Sequence, residues 1–345
     1  MSRMRTLGIA LLVATPAIAE AQGTPPTVRV GGVVFAHYAW FPSEEADGAN
    51  NFDVTRAYIN VTGSFGHGVG ARVTPDIYRL ADGSLSYRLK YAYASYTPGE
   101  SPITLKLGQI QTPWLDFEET LWDFRMQGTM ALDRNGYVTS SDFGLGADGS
   151  WADEGISASV GVYNGEGYNR TPGDRRKDVA GRVSVRLART DDASRTGGLR
   201  LSGFGQYGSP TGGGIRSRAL GMLSYRSKLF TLAGEYAVTR DRADDPPAPA
   251  DPDLETARGE VMSAFGVLRV PDSPVMVIAR VDVADPDRDA SGDRRTRLIG
   301  GVGYQLSPNL RLLADIDHVT YEGGAPTPAA EASRTQALFQ MGLTF

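Results

Sequence analysis

The chain ends with Arg334-Thr-Gln-Ala-Leu-Phe-Gln-Met-Gly-Leu-Thr-Phe345, and its side chains alternate between apolar and polar. In an extended strand, successive side chains point to opposite faces. The apolar face of this stretch carries Ala337, Phe339, Met341, Leu343 and Phe345. The opposite face carries Arg334, Gln336, Gln340 and Thr344. This period of two predicts a β-strand with one apolar side and an aromatic residue at its end.

The same alternation recurs along the chain. In residues 85–93, Arg88 and Lys90 are opposed by an apolar face predicted to carry Leu85, Tyr87, Leu89, Tyr91 and Tyr93. Sixteen segments show the pattern, at 28–40, 51–63, 67–79, 84–97, 102–110, 138–150, 155–165, 178–189, 198–208, 214–227, 229–241, 257–270, 274–285, 293–306, 309–321 and 333–345. Most are slightly longer than the roughly 9–11 residues that a tilted strand needs to cross a bilayer. We therefore predict an all-β fold, a transmembrane antiparallel β-barrel of about 16 strands.

The connections between these segments fall into two classes. Long or polar connections follow the odd-numbered segments, at 41–50, 111–137, 166–177, 242–256, 286–292 and 322–332, while 80–83 and 209–213 are shorter. Mostly tight turns follow the even-numbered segments, and 190–197 is the exception in its length. Long loops on one side and short turns on the other are typical of an outer-membrane barrel. A secreted sandwich or solenoid has no reason to separate loop lengths in this way.

The N-terminus predicts export from the cytoplasm. Arg3 and Arg5 precede a short apolar stretch from Leu7 to Ala14, and small residues follow. This order is typical of a secretory signal peptide, with cleavage after Ala19 or after Ala21. We therefore expect residues 1–21 to be a signal peptide and residues 22–345 to be a single barrel domain in the cell outer membrane.

Composition excludes several classes of function. The chain has 345 residues, with 35 Lys and Arg against 40 Asp and Glu, so its formal net charge of −5 argues against a nucleic-acid partner. It has no cysteine and only three histidines, His37, His67 and His318, which makes a zinc or iron site improbable. We expect no cofactor, no metal and no catalytic residue. The three histidines show no catalytic triad, so a barrel hydrolase is the weakest alternative function.

The polar faces are expected to line water, because about sixteen strands leave a lumen too wide for side chains to fill. The basic residues predicted to line this lumen are Arg88, Lys90, Lys106, Arg182, Arg186, Arg216, Arg218, Arg226, Arg280, Arg295 and Arg297. Fewer acidic residues fall on the same faces. A basic wall favours anions, since rings of Arg and Lys lower the barrier for negative solutes. The alternative is that these arginines pair with neighbouring acids and only hydrate the wall.

The longest connection, 111–137, is rich in Trp, Phe, Leu and Met, which a solvated loop would not carry. We expect it to fold into the barrel and form a constriction loop, and a packed extracellular hairpin is the alternative. The loop residues singled out for the constriction are Trp114, Asp116, Glu118, Glu119, Asp123 and Arg125. The charged members of this set are predicted to present their charge to the lumen.

Two stretches carry a family resemblance. Lys106-Leu-Gly-Gln-Ile-Gln-Thr-Pro113, followed by acidic and aromatic residues, resembles a region of the phosphate-selective porins O and P, although Trp114 stands where that family usually has Phe. Ser159-Val-Gly-Val-Tyr-Asn-Gly165 resembles the following strand of that family and its turn. The resemblance implies a sixteen-stranded outer-membrane pore, often trimeric, that passes small anionic or neutral solutes such as phosphate.

The resemblance also implies partners. Phe345 looks like the terminal assembly signal that the barrel-assembly machinery reads. Outer-membrane lipid and lipopolysaccharide are expected neighbours, and cation bridging to lipopolysaccharide at Asp285–Asp289 stays open. The leading hypothesis is a porin for passive diffusion of small hydrophilic solutes, with a preference for anions. The alternative is a structural or adhesive barrel whose lumen is blocked by the loop.

Overall fold

A computed structural model describes residues 25–171, 173–210, 213–243 and 256–345. They form a closed antiparallel barrel in which each strand pairs with the next and the last pairs with the first. The sixteen strands are β1 (Thr27–Trp40), β2 (Asn50–Ser64), β3 (Val69–Arg79), β4 (Leu85–Tyr96), β5 (Ile103–Gln111), β6 (Ser141–Trp151), β7 (Ile156–Tyr163), β8 (Asp178–Ala188), β9 (Gly198–Gly208), β10 (Gly214–Arg226), β11 (Phe230–Ala243), β12 (Ala257–Arg269), β13 (Val275–Asp285), β14 (Arg295–Ser307), β15 (Leu310–Tyr321) and β16 (Thr335–Thr344). The predicted fold class is confirmed, and every strand agrees with its predicted bounds within three residues. The predicted signal peptide, 1–21, lies outside the described residues, as does most of the connection 242–256.

Alternation along each strand separates the two faces of the barrel. In β13, Met276, Ile278 and Arg280 are buried inside, whereas Val277 and Ala279 are exposed on the outer face. Exposed apolar side chains cover the outer face of most other strands as well. This is the arrangement that lets a barrel face lipid while polar side chains face the lumen.

The strand β4 departs from the predicted alternation. Thr74 pairs with Tyr91, but the next residue, Pro75, pairs with Leu89, so Lys90 is an extra residue in β4. Such a bulge moves every later side chain to the other face. Tyr91 and Tyr93 therefore point into the lumen, and their predicted place on the lipid-facing side is wrong. Pro75 is the local reason, since proline has no N–H to donate to a regular ladder.

The C-terminal residue closes the barrel against β1. The Phe345 carbonyl accepts a hydrogen bond from the Gly32 N–H at 2.7 Å, and the Phe345 N–H donates to the Gly32 carbonyl at 3.1 Å. The Phe345 ring covers Gly32 so closely that a Cβ there would lie 2.3 Å from the ring. Glycine at position 32 is thus needed for the ring to pack.

Residues 112–140, which connect β5 to β6, fold into the barrel and are called the constriction loop below. The loop contains α1 (Leu115–Trp122) and a short second helix, α2 (Ala131–Arg134). Its apolar side chains are buried against the inner wall, as the inward-folding prediction requires. A third short helix, α3 (Pro328–Ala332), lies in the last connection before β16. None of the helices within the described ranges has the length and apolar content to cross a bilayer.

Candidate functional site

The inner faces of β8–β15, called the loop-bearing wall, hold the constriction loop by arginine side chains. Arg182 donates through Nε to the Pro113 carbonyl at 3.0 Å, and its guanidinium lies 4.4 Å from the Phe117 ring centroid. Arg280 donates to the carbonyl of Thr129 at 3.1 Å. An irregular loop leaves backbone carbonyls without partners, and buried carbonyls need donors. The arginines of this wall supply them.

The end of α1 is held by a second group of arginines. Asp123, which follows the helix with a φ of 63°, forms ion pairs with Arg226 at 3.2 Å and with Arg269 at 2.5 Å. Arg226 also donates to the Thr120 carbonyl at 2.9 Å. The last carbonyls of a helix lack intrahelical partners, so this contact completes the C-terminus of α1. Asp123 is therefore paired with two arginines of the wall and keeps about a fifth of its side chain exposed.

The connection between β8 and β9 also contacts α1. Arg195 in this turn donates to both the carbonyl and the carboxylate of Asp116, at 2.9 Å and 3.0 Å, and to the Thr120 hydroxyl at 2.7 Å. Asp192 in the same turn accepts from Nε of Arg226 at 3.0 Å. The unusual length of this turn in the sequence has its explanation here, because the extra residues contact the constriction loop.

Glu118 is fully buried, so its predicted display of charge to the lumen is wrong. Its side chain faces that of Glu235 on β11, beside Arg280. Neither carboxylate finds a hydrogen-bond donor among the described residues. Burial raises the pKa of Glu118 well above its ordinary value, and the neighbouring Glu235 raises it further. Two adjacent buried carboxylates repel each other, which favours the protonated form of Glu118. Trp114, also predicted for the constriction, is fully buried next to Phe204 on β9.

The inner faces of β2–β4, called the open wall, carry four cations and one carboxylate at the level of the loop. Arg56 forms an ion pair with Asp76 at 3.3 Å. Arg72 has only neutral partners: it donates to the side-chain amide oxygen Oδ1 of Asn60 at 2.9 Å, and its guanidinium lies 4.4 Å from the Tyr91 ring centroid. The second contact exists because of the bulge in β4.

The two remaining cations of the open wall also pair with tyrosines. Arg88 lies between the rings of Tyr78 and Tyr168, at 5.3 Å and 4.6 Å, and donates to the Tyr168 hydroxyl at 2.9 Å. Lys90 is buried and donates to the Tyr58 hydroxyl at 2.9 Å. Throughout the described ranges, no carboxylate lies within ion-pair distance of Arg72, Arg88 or Lys90. A flat guanidinium or ammonium group is attracted to the face of an aromatic ring without losing its charge.

The constriction loop presents a mixed group of charges opposite the open wall. Glu119 forms an ion pair with Arg125 at 2.8 Å, and Arg125 donates to the Tyr58 hydroxyl at 3.2 Å. Asp116 is half exposed beside Arg195. Burial, and then the nearby charge of Glu119, raises the pKa of Asp133 on α2. Of the predicted constriction residues, Asp116, Glu119 and Arg125 lie on this side of the loop.

All the basic residues predicted to line the lumen occupy inward-facing strand positions, but only some of them meet water. Four are buried by the loop or by Tyr58, which corrects their predicted contact with water: Lys90, Arg182, Arg218 and Arg280. The other seven keep partial exposure: Arg88, Lys106, Arg186, Arg216, Arg226, Arg295 and Arg297. Of these, Lys106, Arg216 and Arg297 form ion pairs with Asp148, Asp178 and Asp317, at 2.5, 3.1 and 2.6 Å, and Arg226 forms ion pairs with Asp123 and Asp192.

Sequence reasoning did not single out four residues that surround the constriction: Tyr58, Asp133, Tyr168 and Arg195. The proline in β3 was a usable signal for the bulge that turns Tyr91 inward. The length of the turn around Arg195 was a usable signal for the contacts of that turn with the constriction loop.

A family model described as Gram-negative porin matches residues 8–324. The chain belongs to the Gram-negative porin family. The expectation of a porin is confirmed at this level, and with the barrel fold it places the protein in the outer membrane. No curated protein matches this porin in sequence.

Solved structures similar to this porin come from several bacteria. The anion-selective porin from Comamonas acidovorans has a TM-score of 0.66 at 14% identity, covering 93% of this chain and 100% of that one. OmpF of Salmonella typhi, in complex with daunomycin, has a TM-score of 0.65 at 12% identity, covering 92% and 97%. The trimer form of OmpT from Vibrio cholerae has a TM-score of 0.59 at 10% identity, covering 93% and 99%. At these identities the likeness establishes the shared fold.

The porin fold also orients the chain. Long loops of such barrels face the outside and short turns face the periplasm. The turn that carries Arg195 and the C-terminal Phe345 therefore lie on the periplasmic side, whereas the connections 41–49 and 286–294 lie outside.

Proposed function

We propose that this porin is a passive channel for small hydrophilic solutes and that it prefers anions. The observation that carries the proposal is the pair of partly exposed cations on the open wall, Arg72 and Arg88, whose charge meets no carboxylate at ion-pair distance in the described part of the chain. Cationic side chains that line a pore lower the barrier for negative solutes. The Comamonas acidovorans porin of the same fold is anion-selective, which supports the same preference here.

The two walls together explain why the preference is expected to be moderate. On the loop-bearing wall, most exposed arginines are neutralised by a carboxylate, as Arg297 is by Asp317. On the loop, Glu119 and Asp133 face the cations of the open wall across the lumen. Arg186, Arg295 and Arg311 of the loop-bearing wall also have no ion pair within the described residues, so positive charge without a paired carboxylate occurs on both walls. Phosphate is proposed as one solute of this class, and the acidic loop argues against a site dedicated to phosphate alone.

The test is the reversal potential of the porin in a planar bilayer under a salt gradient. Replacing Arg72 and Arg88 together by glutamine is expected to move the reversal potential toward cation preference. The shift should shrink between 0.1 M and 1 M salt, because the Debye length falls from about 10 Å to about 3 Å. The matched control is Arg189→Gln with Lys228→Gln, which removes the same charge from exposed periplasmic turns. Equal shifts in both double variants, or none in either, would contradict an open-wall origin of selectivity.

A barrel with a blocked lumen remains the second candidate, and the depth to which the constriction loop fills the barrel favours it. Folded protein that gives no conductance steps in the same bilayer would establish this alternative. The third hypothesis, a barrel hydrolase, has less support, since His37, His67 and His318 lie apart on β1, in the β2–β3 turn and on β15. An ester turnover assay on the purified porin addresses it.

We also propose that the porin is a homotrimer inserted by the barrel-assembly machinery after removal of residues 1–21. The trimer form of the Vibrio cholerae protein supports the first part. The first half of β4 supports it as well. β4 pairs with β5 only from Ala92 onward, and Leu85, Tyr87 and Leu89 before that point are exposed. Strand edges inside a bilayer need cover. Native mass spectrometry tests the trimer, and outer-membrane yield after deletion of Phe345 tests the assembly signal.

A further inference from the structure

The buried cations of the barrel wall differ in how their charge is compensated. In the described ranges, five basic residues are buried, namely Lys90, Arg182, Arg200, Arg218 and Arg280. Arg218 and Arg280 each form an ion pair with an aspartate, at 2.8 and 2.7 Å. Lys90 contacts tyrosine on the open wall, and the three guanidinium nitrogens of Arg200 all donate to protein oxygens. Arg182 has neither an ion pair nor a full set of acceptors within the described residues.

Arg182 projects inward from β8 and is only 8% exposed. Its Nε donates to the Pro113 carbonyl and its Nη1 to the Ser157 hydroxyl, both at 3.0 Å. The Phe117 ring lies against the guanidinium, with its centroid 4.4 Å away. No residue that the structure describes accepts a hydrogen bond from Nη2. A buried charge with only neutral partners is costly, so this arginine favours a bound anion.

Arg182 lines a cavity of about 270 Å³ beside the N-terminal end of α1. Pro113, Asp116 and Phe117 form the loop side of this cavity. The wall side belongs to the periplasmic halves of β5–β7 and includes the hydroxyl residues Thr104, Ser157 and Ser159. A helix N-terminus carries partial positive charge. Both Arg182 and this end of α1 therefore favour negative charge in the cavity.

Other charged residues of the cavity are already paired. Lys106 binds Asp148 at 2.5 Å, and Arg195 binds Asp116 at 3.0 Å. Each pair is partly exposed to water, and neither includes Arg182. The two acids whose charge acts on Arg182 are thus engaged by other cations.

A third acid limits the charge that the cavity accepts. Glu154 lines the cavity, is exposed, and accepts a hydrogen bond from the Ser150 hydroxyl at 2.7 Å. Water screens an exposed carboxylate such as Glu154 more strongly than it screens a buried arginine. An incoming anion is therefore attracted by Arg182, but each of its charges is also repelled by the acids around it. A single negative charge is favoured, whereas a dianion meets twice the repulsion.

We propose that this cavity binds a small organic monocarboxylate. The carboxylate accepts from Nη2 of Arg182, because charge-assisted bonds between guanidinium and carboxylate are strong. The apolar remainder of the acid packs against Phe117 and Pro113. The cavity is smaller than sites for drug-sized ligands, which suits acids of a few carbon atoms. The proposal deepens the proposed anion preference by naming a class of solute, and it rests on that function only for the passage of the acid through the lumen.

The experiment measures the affinity of sodium butyrate for the purified full-length porin in detergent by isothermal titration calorimetry. Butyramide has nearly the same shape without the charge and should bind at least about tenfold more weakly. Inorganic phosphate at alkaline pH, where it carries two charges, should also bind more weakly than butyrate. Equal affinities for butyrate and butyramide would overturn the proposal, and so would tighter binding of phosphate than of butyrate.

Two variants locate the site. Arg182→Gln removes the guanidinium and should weaken butyrate binding by at least about tenfold. Ser159→Leu fills the cavity from β7, where Ser159 stands opposite Arg182 in the ladder, and should abolish binding. It removes neither hydrogen bond of Arg182, so it tests the site even if the first variant does not fold. Arg189→Gln, on an exposed periplasmic turn, is the matched control for the lost charge and should bind butyrate as the unaltered porin does. An unchanged butyrate affinity in Ser159→Leu would show that the acid binds elsewhere and would overturn the site.

Failure of this proposal differs from failure of the proposed channel. Anion preference is measured by the reversal potential in potassium chloride, whereas butyrate binding in detergent needs no current. A porin that prefers anions but does not bind butyrate would overturn the monocarboxylate site alone. Butyrate binding by a porin without anion preference would support the site and contradict the proposed selectivity.

Discussion

Arg280 on the loop-bearing wall and Arg88 on the open wall occupy equivalent positions, each on the inward face of a strand at the level of the constriction loop. Arg280 has no exposed side-chain surface and binds the Asp282 carboxylate at 2.7 Å. Arg88 lies between two tyrosine rings and keeps part of its surface in the lumen. Residue type and strand face are the same, so they do not decide whether an arginine lines water or holds the structure. Coverage by the constriction loop decides it.

Removing the buried arginine should have the largest effect and tests this contrast directly. Arg280→Met leaves the Thr129 carbonyl without a donor and removes the close cation from the buried Asp282 carboxylate, which keeps only the Ser263 hydroxyl and the more distant Arg134. Breaking such a buried pair costs about 3–5 kcal/mol. Arg88→Met is the matched control, because it loses only contacts with tyrosine, at about 1 kcal/mol. Urea unfolding in lipid vesicles, followed by tryptophan fluorescence, measures both. Comparable losses in the two variants would mean that the walls do not differ in the way described.

The second prediction concerns the proton behind the constriction loop. The pKa of Glu118 is raised above its ordinary value of 4.5, first by burial and then by Glu235. An acid whose pKa is raised on folding supports the folded loop fully below that ordinary value. The support is lost as the pH rises toward the pKa in the folded protein, by about 1.4 kcal/mol for each pKa unit.

Rising pH should therefore loosen α1 from the loop-bearing wall, and single-channel current noise should increase as the pH is raised above 4.5. Glu118→Gln removes the titrating group and should give noise that does not change with pH over this range. Glu119→Gln, on the open side of the same loop, is the control and should keep the pH dependence of the unaltered porin. Identical pH profiles for Glu118→Gln and the unaltered porin would count against titration of Glu118 as the cause.

A smaller effect is expected from the rings that hold the cations of the open wall. Tyr91→Ala removes the ring beside Arg72, a contact worth about 0.5–1 kcal/mol at a partly exposed site. The arginine keeps its charge but loses its fixed position, so anion preference should fall by less than it does in the Arg72 and Arg88 double variant. Tyr91→Phe keeps the ring and should leave the reversal potential unchanged. A change of the same size in both Tyr91 variants would point to the hydroxyl instead.

The smallest effect is expected at the exposed pair between the periplasmic turn and the loop. Arg195 and Asp116 are each about half exposed, and such pairs contribute no more than about 1 kcal/mol. Arg195→Gln should change conductance slightly at 0.1 M salt and not at 1 M, where screening already weakens the pair. Conductance that is strongly altered at both salt concentrations would show that this turn holds the loop as firmly as Arg280 does.

The sequence by itself determined the barrel. Alternation with a period of two is a local property, and it placed all sixteen strands within three residues of their bounds and their lipid faces correctly almost everywhere. The same holds for the inward-folding loop, because the apolar side chains of 111–137 need burial and the lumen is the nearest place that offers it. The class of protein and the basic character of the inner wall were also readable, since they depend on which residues occur and on their spacing.

Only the tertiary structure decided which charge meets which partner. The bulge at Lys90 turned Tyr91 and Tyr93 inward, and one extra residue in a ladder is invisible to a pattern that only counts alternation. Glu118 faces Glu235, and Arg280 reaches Thr129, across 117 and 151 positions of sequence. Such contacts depend on the path of the loop through the lumen. That path is set by the sum of many long-range contacts, and no local stretch of sequence encodes that sum.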